Sequence, residues 1–186
     1  NEFRFINAQF GFVTSFSKME TTIFSVGQPY RLQEGRIAIV TNGSARVLIN
    51  LIEYIFLPDH ISLIAPNPII QIIEVSHDFD AHMMAVDLNF LPISGKEEFF
   101  LQQKKNLLFP LSTEEQIQIE NFVTVMWSVL QEPVFRKEVI QHLLVGLLYN
   151  IEYIAKSKGQ AELSPLTHQN DIFQRFISLV NTYSKT

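Results

Sequence analysis

Residues 36–50 read RIAIVTNGSARVLIN, two short apolar runs separated by Asn42 and Gly43. Runs of this length, rich in β-branched residues, are typical of antiparallel strands. Asn-Gly is the strongest short hairpin signal, because a type I′ turn needs positive φ at both central residues. The stretch therefore predicts a hairpin in which Arg36–Thr41 forms one strand and Ser44–Asn50 returns antiparallel to it.

The same pattern continues through the N-terminal half of the chain. Apolar runs broken by turn residues predict further strands over Thr21–Val26, Glu53–Leu57, His60–Ala65, Ile69–Val75 and Ala81–Leu88. Many short strands of this kind are typical of a sandwich or barrel. After Pro92 the apolar period changes to about 3.6, which predicts that the rest of the chain is helical. The predicted fold class is therefore α+β, with a β-barrel followed by a helical hairpin.

A capping signal marks the first helix. The order Ser-Thr-Glu-Glu at Ser112 has the form of a capping box, in which Glu115 reaches back to Ser112. This helix extends towards Leu130, and Pro133 is predicted as an early residue of the next one. The second helix has an apolar face too wide for one-sided packing, which predicts burial on two sides. After a linker, Asp171–Tyr183 is predicted as a terminal amphipathic helix.

Composition and charge restrict the class of protein. The 186 residues include 16 Phe and no Cys, and 47% are hydrophobic, so a large core is available without disulfides in a reducing cytoplasm. The net charge is -5 and basic residues are not clustered, which predicts that this segment binds DNA poorly by itself. No apolar run approaches the roughly 18 residues of a membrane span, so no membrane partner is expected.

Catalytic and metal-binding patterns are missing from the sequence. The histidines lack the close spacing on paired strands that a metal site in a barrel requires. No nucleophile elbow and no glycine-rich phosphate loop occur. The sequence therefore predicts no metal, no cofactor and no enzymatic activity.

Small-molecule binding inside the barrel is the remaining hypothesis. Because side chains alternate across a strand, parity predicts a ligand-binding lining of Arg36, Ala38, Val40, Gln71, Ile73, Met83 and Ala85. Arg36 has two interpretations. Pointing inward, it should meet an anionic ligand or an internal acid, since an unpaired buried charge is costly. Alternatively, it lies on the solvent face near the start of its strand. A Phe-rich arm over Asn1–Phe16 is expected to fold over the barrel mouth.

Three stretches resemble the N-terminal half of AraC/XylS transcription regulators. Gly35–Ala45 is similar to the first hairpin of that family, Ile61–Asn67 to its strand ending in a proline turn, and Asp171–Val180 to the opening helix of its DNA-binding domain. The resemblance implies three parts. They are a cupin-like (jelly-roll) barrel with its arm over 1–92, a helical dimerisation region over 93–157, and a linker with the first helix of a truncated DNA-binding domain over 158–186.

The resemblance also implies a function. It predicts the effector-sensing and dimerisation domain of a bacterial regulator, which binds a small molecule and contacts DNA only through C-terminal helix-turn-helix units missing here. The predicted homodimer contacts are Leu143, Leu147, Ile151 and Ile154, with burial in the protomer core as the alternative. Two other functions remain for comparison: a metal-dependent cupin enzyme, and a cyclic-nucleotide sensor, which needs a phosphate cassette that the barrel region lacks.

Overall fold

The computed structural model describes residues 3–6, 9–18, 25–92 and 107–159. The strands in these ranges are β1 (Phe3–Ile6), β2 (Phe10–Val13), β3 (Pro29–Arg31), β4 (Gly35–Asn42), β5 (Ala45–Ile49), β6 (Ile52–Phe56), β7 (His60–Ile64), β8 (Ile69–Val75), β9 (Asp80–Val86) and β10 (Leu107–Pro110). Two α-helices follow, α1 (Thr113–Leu130) and α2 (Lys137–Ser157), and short 3₁₀ turns occupy Phe16–Lys18 and Leu88–Phe90.

The strands form two antiparallel sheets that lie face to face. One sheet has the order β1-β2-β9-β4-β7-β10 and the other has the order β3-β8-β5-β6. An apolar cluster between them combines Ala38 and Ile64 from the first sheet with Val47 and Ile70 from the second. The opposite face of the six-stranded sheet packs against both helices. The strands β4, β7, β9 and β10 of that sheet therefore carry apolar residues on both faces, one towards the other sheet and one towards the helices.

The connection at Asn42 and Gly43 is not a hairpin, and this prediction was wrong. β4 pairs with β7 and β9, whereas β5 pairs with β6 and β8 in the other sheet. Gly43 has positive φ (65°) but Asn42 does not, so a type I′ turn does not form and the chain crosses between the sheets. The two-residue turn with positive φ at both positions instead joins β5 to β6, at Asn50 (φ 51°) and Leu51 (φ 66°).

The stretch after Pro92 contains a strand, so the prediction that only helix follows was also wrong. β10 pairs antiparallel with β7, and it lies at the edge of the six-stranded sheet. Leu107, Leu108 and Phe109 are all buried. A buried run this short has no alternation, and periodicity alone does not distinguish it from helix.

The N-terminal arm also forms part of a sheet. β1 pairs with β2, and β2 pairs with β9. Among the described residues of the arm, Phe16 is the one that reaches the space between the sheets. The predicted strand over Thr21–Val26 lies mostly outside the described residues, and Val26 itself is in a turn.

The start of the helical hairpin was predicted correctly at Ser112. The Glu115 amide donates to Ser112 Oγ at 3.3 Å, and the Ser112 amide donates to Glu115 Oε2 at 2.6 Å, so the capping box is confirmed. The second helix begins at Lys137 rather than near Pro133, which lies in the connection between the helices. The terminal helix predicted over Asp171–Tyr183 lies outside the described residues.

Three of the four predicted dimer contacts are buried within the chain. Leu147 and Ile151 are 0% exposed and Ile154 is 3% exposed, while Leu143 packs half-buried against the same cluster. Because α2 lies against both α1 and the six-stranded sheet, its two apolar sides are already covered. Leu147, Ile151 and Ile154 are therefore buried in the core of the protomer, which was the alternative interpretation, and they are not available to a second chain. None of the described helices combines the length and apolarity needed to cross a membrane.

Candidate ligand-binding cavity

An apolar cavity lies between the two sheets. Its volume is about 80 Å³, and the empty space is about 660 Å³ when the solvent at its open mouth is included. Ala38 and Met83 line it from the six-stranded sheet, and Ala45, Val47 and Phe56 line it from the other. Because the two alanines are short, side chains from the facing sheets do not fill the space between them. Small residues on both sheets therefore contribute to the space.

Arg36 is the charged residue of the described cavity wall. Its guanidinium Nη2 donates to Glu34 Oε2 at 3.1 Å, and its side chain is 21% exposed. Burial lowers the pKa of Arg36, because desolvation disfavours the cation, and the charge of Glu34 opposes this shift. Arg36 therefore points inward at the edge of the cavity, with an acid as its present partner.

Three of the seven predicted lining residues lie in the cavity wall. Arg36, Ala38 and Met83 line the cavity. Val40 lies on the same face of β4 and packs in the cluster between the sheets, but it is not part of the cavity wall. Ala85 lies opposite Arg36 on β9, also outside the wall.

A β-bulge removes the two remaining predicted residues from the wall. Arg46 pairs with Glu74, but the next residue of β5 pairs with Ile72, so Ile73 is an extra residue in β8. The alternation of β8 reverses at this point, and neither Gln71 nor Ile73 lines the cavity. The wall residues of β8 are Ile70, Ile72 and Val75. The side-chain Nε2 of Gln71 instead donates to the Gly27 carbonyl oxygen at 2.8 Å.

Phe16 was not among the predicted lining residues, although the arm that ends at Phe16 was expected to fold over the barrel mouth, and it lines the cavity together with Phe79. The two rings pack edge to face with centroids 6.0 Å apart. The segment carrying Phe16 is held by Asp80, which accepts from Ser15 Oγ at 2.8 Å and from the Ser17 amide at 3.0 Å. Burial would raise the pKa of Asp80, but these hydrogen bonds outweigh burial and hold the pKa below its usual value. The segment that carries Phe16 is thus hydrogen-bonded to β9 through Asp80.

His82 joins the same segment to helix α1. Its Nδ1 lies 2.6 Å from the Thr14 carbonyl oxygen, and its Nε2 lies 3.4 Å from Glu120 Oε1 on α1. A carbonyl only accepts, so Nδ1 carries a proton, and the facing carboxylate favours a second proton on Nε2. Burial lowers the pKa of His82, but Glu120 together with the Thr14 carbonyl and Asp80 raises it overall. The bridge is therefore strongest when His82 is an imidazolium.

Stability is expected to depend on pH through this bridge. The folded pKa of His82 is raised above the ordinary histidine value of 6.5, so its contribution to stability is complete below that value and is lost as pH rises through the folded pKa. Since Glu120 is 45% exposed, we expect a loss of about 0.5–1 kcal/mol. Urea unfolding from about pH 5.5 to 8.5 should show this slope in the wild type and a flatter one in His82→Gln. His77→Gln, at a 97% exposed side chain, is the control, and an equal flattening there would contradict the assignment.

A second cavity of about 170 Å³ lies between β4 and α1, where Thr41, Asp59, Gln116 and Glu120 contribute polar groups. In the part of the chain that the structure describes, no three side chains among His, Cys, Asp and Glu lie close enough together to hold a metal ion.

Fold and site together define a two-sheet β-sandwich with an apolar internal cavity, packed against a helical hairpin. No protein-family model and no curated protein sequence matches the chain. Similar solved structures include an apo variant of ToxT from Vibrio cholerae, at 11% identity and a TM-score of 0.46, covering 96% of this chain and 66% of that one. Wild-type ToxT with a bound unsaturated fatty acid has 12% identity and a TM-score of 0.43, covering 96% and 65%.

The AraC-like transcriptional activator CuxR has 10% identity and a TM-score of 0.42, covering 85% of this chain and 62% of that one. The chain thus spans less than two thirds of the length of CuxR and about two thirds of ToxT. TM-scores below 0.5 at such identities do not establish a family for the chain.

Proposed function

We propose that this chain is the small-molecule-sensing domain of a regulator, and that its cavity binds an amphipathic anion with the anionic group at Arg36. The observation that carries the proposal is a single guanidinium at the edge of an otherwise apolar wall. Ligand pockets commonly combine an apolar lining with few orienting polar groups.

The head group of the ligand would replace Glu34. The Glu34 side chain is 29% exposed, so it can turn to solvent, and partly exposed ion pairs of this kind contribute at most about 1 kcal/mol. A ligand carboxylate can accept two parallel hydrogen bonds from the Arg36 guanidinium, which is the stronger geometry. Exchange of one carboxylate for another therefore keeps the buried cation paired throughout.

The apolar part of the ligand would occupy the space between the sheets. Each buried methylene contributes about 0.8 kcal/mol. The cavity volume of about 80 Å³ is small for the apolar chain of such a ligand, so binding has to widen the wall. Met83 is unbranched and adaptable, and Phe16 lies on a short segment outside the sheets, so these two side chains are the ones that can move.

Displacement of Phe16 would be transmitted to the helices through the contacts of its segment with β9 and of β9 with α1. The segment carrying Phe16 is bonded to Asp80 and, through the Thr14 carbonyl, to His82. His82 in turn faces Glu120 on α1. A ligand that binds better when this segment has moved would shift the contact between β9 and α1, and this difference in affinity supplies the energy of the signal.

Other parts of the proposal derive from the sequence resemblance to AraC/XylS regulators. They are the jelly-roll connectivity of a cupin-like barrel, the division of the chain at residues 92 and 157, homodimerisation, DNA contact through helix-turn-helix units of a longer protein, and a cytoplasmic location. Dimerisation would use surfaces other than Leu147, Ile151 and Ile154, which the chain itself buries.

Isothermal titration with decanoate and decanol tests the proposal. We expect saturable binding of decanoate, and Arg36→Met should weaken it at least about tenfold while changing decanol binding little, because only the charged hydrogen bonds are lost. Arg31→Met, at an exposed residue of β3 outside the cavity wall, is the matched control. Failure of decanoate to saturate the wild type, or equal affinity in Arg36→Met, would refute the proposed site.

A further inference from the structure

A buried hydroxyl lies on the inner face of the six-stranded sheet. Ser62 on β7 is 1% exposed, and its Oγ has no hydrogen-bond partner within the described residues. Its strand neighbours Ile61 and Leu63 pack on the helix side. Ile64, two residues further along the strand, belongs to the cluster between the sheets. Alternation therefore places the Ser62 side chain on the cavity side.

The strand register places Ser62 next to the cavity wall. Ser62 pairs with Ala38 on β4, and Ala38 and Ile64 both line the cavity. Arg36 pairs with Ile64. Arg36 and Ser62 are thus diagonal neighbours on one face, at a spacing of about 7–8 Å, with their Cβ atoms somewhat closer. Ser62 itself does not line the cavity, so a ligand that enters past the guanidinium reaches its hydroxyl as the wall widens between Ala38 and Ile64.

The immediate surroundings of Ser62 do not satisfy its hydroxyl. Its cross-strand partners are Ala38 on one side and Leu108 on the other, and both are aliphatic. A buried hydroxyl without a partner is destabilising, and an alanine or valine would fill this position at no such cost. A partner that arrives with the ligand would account for a polar residue here.

We infer that the Ser62 hydroxyl is a specificity-determining contact, which hydrogen-bonds to a hydroxyl or carbonyl group on the apolar body of the ligand. The inference rests on the proposed function, because it requires a ligand whose anionic end is at Arg36. It narrows the ligand class to acids that carry one polar substituent several bonds away from the carboxylate.

The test compares decanoate with decanoates that carry one hydroxyl at about carbon 4, 6 or 8, positions bracketed by the spacing of Arg36 and Ser62. At least one of the hydroxy acids should bind the wild type about fivefold more tightly than decanoate. Ser62→Ala should abolish that gain, so that the hydroxy acid and decanoate bind this variant with similar affinity, while Ser128→Ala, on an exposed part of α1, should keep the gain.

The outcomes separate this inference from the proposed function. If the gain persists in Ser62→Ala, or if no hydroxy acid binds more tightly than decanoate, the inference is wrong while the cavity remains a binding site for plain acids. If decanoate itself does not bind, the proposed function is refuted together with the inference.

Thermal unfolding of the ligand-free protein gives a second readout. Removing an unsatisfied hydroxyl should raise the melting temperature of Ser62→Ala by about 2–4 °C. A fall in melting temperature would show that the hydroxyl has a stabilising partner within the protein, and the inference would then be overturned.

Discussion

Gly43→Ala is expected to lower the free energy of unfolding by about 3–5 kcal/mol. Gly43 has φ +65°, a conformation that an L side chain adopts at a cost. A Cβ atom there would lie 2.6 Å from the backbone of Phe79 and 2.5 Å from Ser76 Oγ. Since Phe79 lines the cavity, a shift of its backbone to make room for the Cβ atom would also change the cavity wall.

Gly27→Ala separates the two contributions to this effect. Gly27 has φ +82°, but an added Cβ would meet no heavy atom within 4 Å. In this variant the free energy of unfolding should fall by only about 1–2 kcal/mol, which is the cost of positive φ without a steric clash. Urea unfolding followed by circular dichroism measures both variants. Equal losses would show that the chain does not approach Gly43 as closely as described.

Leu147→Ala is expected to cost about 2–5 kcal/mol, because the side chain is fully buried between α2, α1 and the six-stranded sheet. Tyr153→Ala, on the same helix at a side chain 74% exposed, should change the free energy of unfolding by less than about 0.5 kcal/mol. Urea unfolding of both variants provides the comparison.

Protein concentration distinguishes core burial from a dimer contact at Leu147. If Leu147 is buried within one chain, the loss of unfolding free energy should be the same at low and high protein concentration. If Leu147 is a subunit contact, the variant should gain less stability from concentration than the wild type does. A loss that becomes larger as the protein is concentrated would therefore contradict burial within the protomer.

Local signals in the sequence predicted local structure well. The bounds of Ile69–Val75 are those of β8, and the capping box at Ser112 starts α1 as predicted. Both depend on residues within one turn or one strand. A strand run between turn residues and a capping box both form through residues that are close together in the sequence. Their physical cause can therefore be identified from the sequence alone.

Pairing between distant segments could not be predicted in the same way. At Asn42 and Gly43 the local preference favours a hairpin, but the inner faces of β4 and β5 are both buried when the chain crosses between the sheets. The bulge at Ile73 depends on how β8 pairs with β5, which is not visible in the alternation of β8 alone.

The candidate site was predictable only in part for the same reason. Arg36 stood out because a charge among apolar residues needs a partner, and Ala38 and Met83 followed from parity. Ala45 and Val47 alternate on a predicted strand, so parity could have found them too. Phe16 lies outside any strand, and tertiary contacts alone bring it to the cavity.

Adjacent methionines allow a direct test of where the ligand binds. Met83 lines the cavity, whereas Met84 is 1% exposed and lies on the helix-facing side of the same strand. With ¹³C-labelled methionine methyl groups and bound decanoate, we predict nuclear Overhauser effects between the ligand chain and the methyl group of Met83, and none to Met84. Bound decanoate that contacts Met84 but not Met83 would contradict binding between the sheets.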